Sequence, residues 1–221
     1  MEQIRILSQT DGMIVCVKPA GILSQSGTPG QKTMVTALER QLGTEIYPVH
    51  RLDRETGGVM VYGATAQEAA RLSRCIQQGQ LEKEYLAVVQ GSPEPSQGAM
   101  RDLLFHDQRR NKTYVVDRQR KGVKEARLLY RVLAERQGLS LVQVRLLTGR
   151  THQIRVQFAS RGWPLQGDRR YGGGSGVLAL WSMRLRVPGK DGMQTFSALP
   201  EGAMGPFGEI VLPESIEINN F

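Results

Sequence analysis

Apolar residues along this chain follow two different periods, and the switches between them mark out the elements. The run "MIVCVK" (13–18) is short, β-rich and stopped by Pro19 and Gly21, which predicts a strand. Thr33 then precedes Met34, Ala37, Leu38 and Leu42, which share one face of a helix, with Gly43 just past its end. "VMVY" (59–62) predicts the next strand. Thr65-Ala66-Gln67-Glu68 reads as a capping box, Ala69, Leu72 and Ile76 follow at helical spacing, and Gly79 closes that helix. "YLAVVQG" (85–91) predicts a buried strand, and "GSPEPSQG" (91–98) a loop.

The second half is more basic and more β-like. From Arg101 to Lys124 arginine and lysine are dense, with "TYVV" (113–116) among them, which predicts a basic hairpin or loop insertion near 98–124 that projects from the body. "ARLLYRVLAE" fits strand or helix, but Gln137-Gly138 followed by "LSLVQVRLL" indicates a hairpin of two strands. In the second of these, Val142, Val144 and Leu146 alternate with Gln143 and Arg145, as in a half-buried strand. "THQIRVQFASRG" spaces Ile154 and Phe158 as a helix, capped by Thr148 or Thr151 and ended at Gly162 with Pro164 beyond. The tail from Pro188 is rich in glycine and proline, with a last short strand expected near "EIVLP" (209–213). Strands and helices mix without a steady βαβ alternation, so the expected class is α+β.

At 221 residues, 40% hydrophobic and 23% charged, the chain has the make-up of an ordinary globular protein with a full-sized core, and no linker parts it into two domains. Its 29 basic and 21 acidic residues leave a net charge of +8. That excess suits a polyanionic partner, although solubility alone also accounts for it. Cys16 and Cys75 lie in apolar runs and read as buried, reduced thiols. No apolar stretch is long enough for a signal peptide or membrane span, so a cytoplasmic protein is expected.

Three places combine polar chemistry with a turn or strand end: His50–Gly58 ("HRLDRETGG"), Lys83-Glu84-Tyr85, and Leu147–Arg155 ("LTGRTHQIR"). The histidines, His50, His106 and His152, lack metal-ligand spacing, no serine sits in a G-x-S-x-G turn, and the glycines 172–174 do not open a phosphate-binding loop. Asp53 stands between Arg51 and Arg54. Spacing alone favours an ion pair with Arg51, Arg54 or Arg150 that holds a turn, and leaves open that the carboxylate is kept for chemistry. On the same footing Tyr85 is a core residue of its strand and His152 a polar residue of a first helical turn.

The ordered motifs shift that balance. His50–Gly58, Lys18–Gly21 (K-P-x-G), Lys83–Tyr85 (K-x-Y), Thr148–Val156 (T-G-R-T-H-Q-I-R-V) and Gly167–Gly172 (G-D-x-x-Y-G) together resemble the RluA-type family of pseudouridine synthases over about residues 13 to 187. Two departures stand out: Gly57 where relatives usually carry serine, and Trp181 where they often carry histidine. The resemblance implies one catalytic domain over 1–221, with a mixed, mainly antiparallel central sheet flanked by helices and loops, and no separate N-terminal RNA-binding domain. It implies isomerisation of uridine to pseudouridine in a ribosomal or transfer RNA stem-loop by a monomer, without cofactor, metal or membrane.

By the same resemblance Asp53 is the essential catalytic residue, Arg150 its partner, and Tyr85 the ring that stacks on the uracil. Ile154 is a wall of the base pocket, and His50, Arg51, Lys83, Thr151 and His152 are substrate-binding positions. A uridine within a stem must be flipped out, at a cost of a few kcal/mol, and Arg51 is expected to prop the vacated stack. The rival from another class is a non-catalytic RNA-binding protein or chaperone keeping the fold. Binding alone does not call for Asp53, Tyr85 and Arg150 together.

Overall fold

Valine, isoleucine and methionine crowd the runs Met13–Lys18 and Gly57–Gly63 so densely that both of their faces are buried, which requires cover on each side. The computed structural model describes residues 3–10, 12–25, 30–200 and 206–209. Its strands are β1 (Ile6–Thr10), β2 (Met13–Lys18), β3 (Tyr47–Pro48), β4 (Gly57–Gly63), β5 (Glu82–Gln90), β6 (Gln97–Asp107), β7 (Lys112–Val116), β8 (Val123–Arg136), β9 (Leu139–Leu146), β10 (Leu180–Gly189) and β11 (Gly192–Ser197). The helices are α1 (Met34–Leu42), α2 (Ala66–Gln77), α3 (Gln153–Ala159) and the short α4 (Pro206–Glu209). The class is α+β, as expected. Residues 210–213, most of the expected last strand, lie outside the described residues, and Glu209 ends α4.

The chain divides into two compact units, the first made of Met1–Lys83 and Trp181–Leu199, the second of Glu84–Leu180 and Pro200–Phe221. In the first, the strands run in the order β1-β2-β4-β10, with β3 on β4 and β11 on β10. Strands β2 and β4 are antiparallel, whereas β4 and β10 run parallel where Gly57 meets Trp181 and Gly58 meets Ser182. Met13, Val15, Val59, Val61, Leu72, Leu185 and Val187 form the core. Thr33 caps α1 in a reciprocal box with Thr36, and Gly43 ends it in the left-handed conformation at φ 66°. Thr65 caps α2 by accepting the Glu68 amide, but the other half of the expected box is missing: the Glu68 carboxylate pairs with Arg71 at 2.6 Å. Cys16 and Cys75 are buried free thiols.

In the second unit the order is β5-β9-β8-β6-β7. Gln137 (φ 50°) and Gly138 (φ 75°) both take the positive φ that a tight two-residue hairpin turn requires, joining β8 to β9. The basic segment is a hairpin, as expected, but not a projection. Strand β6 pairs with β8 from Gln97 to Phe105 and with β7 from Leu103 to Asp107, so it is a sheet member on both edges. The alternation in β9 misleads too. Gln143 is fully buried, donating to the Glu84 carboxylate at 2.7 Å and accepting from Arg131 Nε at 2.7 Å. Leu104, Ala126 and Val156 of α3 pack together with Val115 and Tyr171. No helix among the described residues is long and apolar enough to cross a membrane.

Candidate active site

The segment carrying Asp53 is stitched to the Lys18–Ser24 stretch. The Thr56 amide donates to the Asp53 carbonyl at 3.1 Å and closes the turn. On one side, Ser24 Oγ donates to the Leu52 carbonyl at 2.9 Å and accepts the Leu52 amide at 3.0 Å. On the other, Gly21 N donates to the Arg54 carbonyl at 2.8 Å, and Arg54 Nε donates to the Gly21 carbonyl at 2.9 Å. Beneath the turn Lys18 is fully buried, and its Nζ donates to the carbonyls of Pro19 (3.0 Å), Arg54 (3.0 Å) and Thr56 (2.7 Å). Burial pushes the Lys18 amine down to about 8, with the Asp53 and Glu55 charges pulling the other way. Leu52 is buried under this turn, Asp53 is half-buried, and Arg51 and Arg54 are exposed. Lys18 is a residue of the K-P-x-G motif to which the sequence reading gave no role.

His50 faces inward rather than outward. Its Nε2 accepts the Val61 amide of β4 at 3.2 Å, so Nδ1 carries the proton. Burial and the nearby Lys83 charge hold its pKa well below the ordinary histidine range. Burial also pushes the Lys83 amine down to about 8.

The two departures from the family pattern turn out to be one feature. A Cβ on Gly57 would run into the Trp181 ring, closer than any side chain tolerates. Trp181 is seated by its indole N–H on the Ala198 carbonyl at 2.7 Å. A larger residue at 181 and the loss of a side chain at 57 therefore fit each other.

The turn carrying Arg150 is built from neutral groups. Gln153, the first residue of α3, is buried; its Oε1 accepts the Arg150 amide (3.0 Å) and the Thr148 hydroxyl (2.8 Å), and its Nε2 donates to the Arg127 carbonyl (3.0 Å). Neither Thr148 nor Thr151 caps α3. The N-cap is His152, held in the left-handed conformation at φ 53° with no side-chain cap bond. Arg150 is exposed, and its Nε donates to the Glu125 carbonyl at 2.9 Å. Gln153 was missed because its bond to Arg127, 26 residues earlier in the chain, leaves no local pattern around it.

Among the expected site residues, His50, Arg51 and Asp53 share one segment of the first unit, with the Lys83 charge near His50. Arg150, Thr151, His152 and Ile154 gather at the entry of α3 in the second unit, which also holds Tyr85. Tyr85 is only 5% exposed and Ile154 only 4%, so both are interior side chains.

Residues 12–160 match the RNA pseudouridylate synthase family, and the chain belongs to that family. An uncharacterized RNA pseudouridine synthase of Bacillus subtilis is 33% identical over 184 residues, covering 80% of this chain and 60% of that protein. The ribosomal large subunit pseudouridine synthase D of Nitrosomonas europaea is 36% identical over 175 residues, 76% of this chain and 50% of that protein. The chain thus spans about half to three-fifths of the length of these curated relatives. The fold matches the solved structure of human RNA pseudouridylate synthase domain containing 1, with a TM-score of 0.78 at 22% identity over 90% of this chain and 84% of that one.

Proposed function

We propose that this protein isomerises one or more uridines of ribosomal or transfer RNA to pseudouridine, with Asp53 as its essential catalytic carboxylate and residues 1–221 acting as one monomeric catalytic domain. The carrying observation is the turn itself. In a chain of this family, Asp53 is the half-buried acid of a segment tied down on both flanks and supported by a buried lysine. A group that attacks or deprotonates a bound nucleoside gains rate from being held in place before the substrate arrives.

In this reading the uracil leaves its ribose, turns and rejoins through carbon 5, while Asp53 acts on the ribose, on the base, or on a sugar proton. Tyr85 stacks on the extruded base and Ile154 walls its pocket. Arg150 serves as the cationic partner of the acid, and Arg51, which is exposed, props the vacated stack. Lys83 and Thr151 contact the substrate. His50 and His152 each already hold a hydrogen bond within their own unit, so their part is to shape the ground on which the RNA rests. The basic β6–β7 hairpin adds phosphate contacts, and two reduced thiols suit a cytoplasmic setting.

The test is tritium release. Ribosomal and transfer RNA labelled at uridine carbon 5, taken from cells lacking the gene, is incubated with the protein. Release of tritium to water, with pseudouridine mapped at defined positions, is expected. A folded protein that binds these RNAs and releases none overturns the reading.

A further inference from the structure

Tyr171, in the G-D-x-x-Y-G motif, has no place in the chemistry proposed above, yet more contacts of the second unit converge on it than a core tyrosine needs. Its hydroxyl accepts the Thr113 amide of β7 at 2.8 Å and lies 2.9 Å from His152 Nδ1. A phenol oxygen accepts two bonds and donates one, so with the Thr113 amide bound it still joins His152 Nδ1 whichever of the two carries the shared proton. Burial raises the pKa of the Tyr171 hydroxyl, so it stays protonated across the physiological range. Thr113 reaches the same turn a second time: its Oγ1 donates to the Thr151 carbonyl at 2.9 Å and so accepts from His106 Nδ1 at 3.0 Å.

The ring of Tyr171 is fixed as firmly as its hydroxyl. The Arg155 guanidinium of α3 lies 5.4 Å from its centre and is clamped to Asp168 by bonds of 2.7 and 2.9 Å, a pair whose side chains are 6% and 0% exposed. The Tyr171 amide donates to the Asp168 carbonyl at 3.2 Å, and Lys112 of β7 lies 5.4 Å from the ring centre. His152, meanwhile, is a non-glycine residue at φ 53° without a side-chain cap bond, a conformation that persists only where its surroundings over-determine it.

We infer that Tyr171 is a positioning residue whose hydroxyl locks the Arg150–Thr151–His152 turn onto strand β7, so that the turn and the basic hairpin move as one body. This rests on the reading that Arg150 takes part in pseudouridine formation. Arg150 never touches Tyr171 in this scheme. It is aimed by the two residues that follow it, and RNA held by the hairpin is thereby held in register with the arginine.

The test compares the wild type with Tyr171→Phe, which keeps the ring and deletes the hydroxyl. In the wild type, nitrogen-detected NMR of His152 should show one fixed tautomer, and the variant should lose it. Misplacement by about 1 Å costs on the order of a hundredfold, so kcat in the tritium assay should fall roughly tenfold to a hundredfold. KM for RNA should change less than about threefold and melting only slightly, a split that a merely structural role would not produce. Thr113→Val, which deletes only the Thr151 and His106 links, should lower kcat in the same direction and decides the matter if Tyr171→Phe does not fold. Wild-type kcat in a folded Tyr171→Phe, or in Thr113→Val where the first variant is lost, overturns the inference and leaves the pseudouridine reading standing. Absence of wild-type tritium release sinks that reading instead, while an unfixed His152 tautomer in the wild type still overturns the lock.

Discussion

Around Asp53 the backbone is gathered onto one buried cation, whereas around Arg150 it is gathered onto neutral amides and hydroxyls. Lys18 donates to three carbonyls at once, and the segment on either side is laced to Gly21 and Ser24. Near Arg150 the bonds are instead spread over the neutral groups of Gln153, Thr148, Thr113 and Tyr171. The two designs suit their cargoes. An acid on a turn is served by a nearby ammonium, which supplies charge and donors together, whereas a second cation beside Arg150 would repel it. The difference has a consequence for stability: bonds from a charged donor are stronger than bonds between neutral groups, so the cationic hub is the costlier loss.

The comparison is broken hardest at the hub. Lys18→Met keeps the apolar stem, removes the ammonium and leaves three carbonyls without that donor, so the protein should lose about 3 kcal/mol by chemical denaturation, some of the loss being offset because a buried charge is gone. Loss below about 1 kcal/mol would mean the carbonyls find other donors. Next comes Gly57→Ser, whose Cβ would collide with Trp181; overpacking of this kind costs about 2 kcal/mol. Adding Trp181→His should recover part of it, with a coupling of roughly 1 kcal/mol or more in a double-mutant cycle. Strict additivity would show the two positions to be independent.

At the network the effect is smaller. Gln153→Met keeps the volume and deletes three neutral bonds, so a loss of about 2 kcal/mol is expected, less than for Lys18→Met because bonds from a charged donor are stronger. A reversal of that order would contradict the contrast between hub and network. The smallest effect is a pH dependence. His50 is held well below its ordinary pKa of 6.5 by burial and Lys83. Below pH 6.5 the unfolded chain therefore takes up a proton that the folded chain refuses, and stability falls as the pH falls through that range. At pH 6 the loss is under about 1 kcal/mol. His50→Gln should flatten that part of the profile, measured as melting temperature from pH 7.5 to 5; an unchanged slope assigns it to other groups.

What the sequence revealed followed the range of the forces involved. Helices α1 and α2 were legible because threonine caps and apolar spacing act within a few residues. The hairpin of β8 and β9 was legible from Gln137-Gly138 for the same reason. The cap of α3 was misread because the turn is held by Gln153 reaching back to Arg127, and by Tyr171, which no local pattern reveals. Gln143 looked solvent-facing because its alternation with valines says nothing of Glu84, 59 residues away. Strand β1 and the β10–β11 pair went unread, since their residue patterns acquire meaning only from the partners beside them. Within the candidate site the motif residues stood out by resemblance, but Lys18 and the fit of Gly57 to Trp181 needed coordinates.

All of this converges on one acidic side chain, and Asp53→Asn tests it most directly, because it keeps the shape and removes the charge. Tritium release from carbon-5-labelled RNA should fall by on the order of a thousandfold or more while folding and RNA affinity are kept. Release that merely tracks the folded fraction of the variant would contradict a catalytic role and return Asp53 to the part of a structural ion pair.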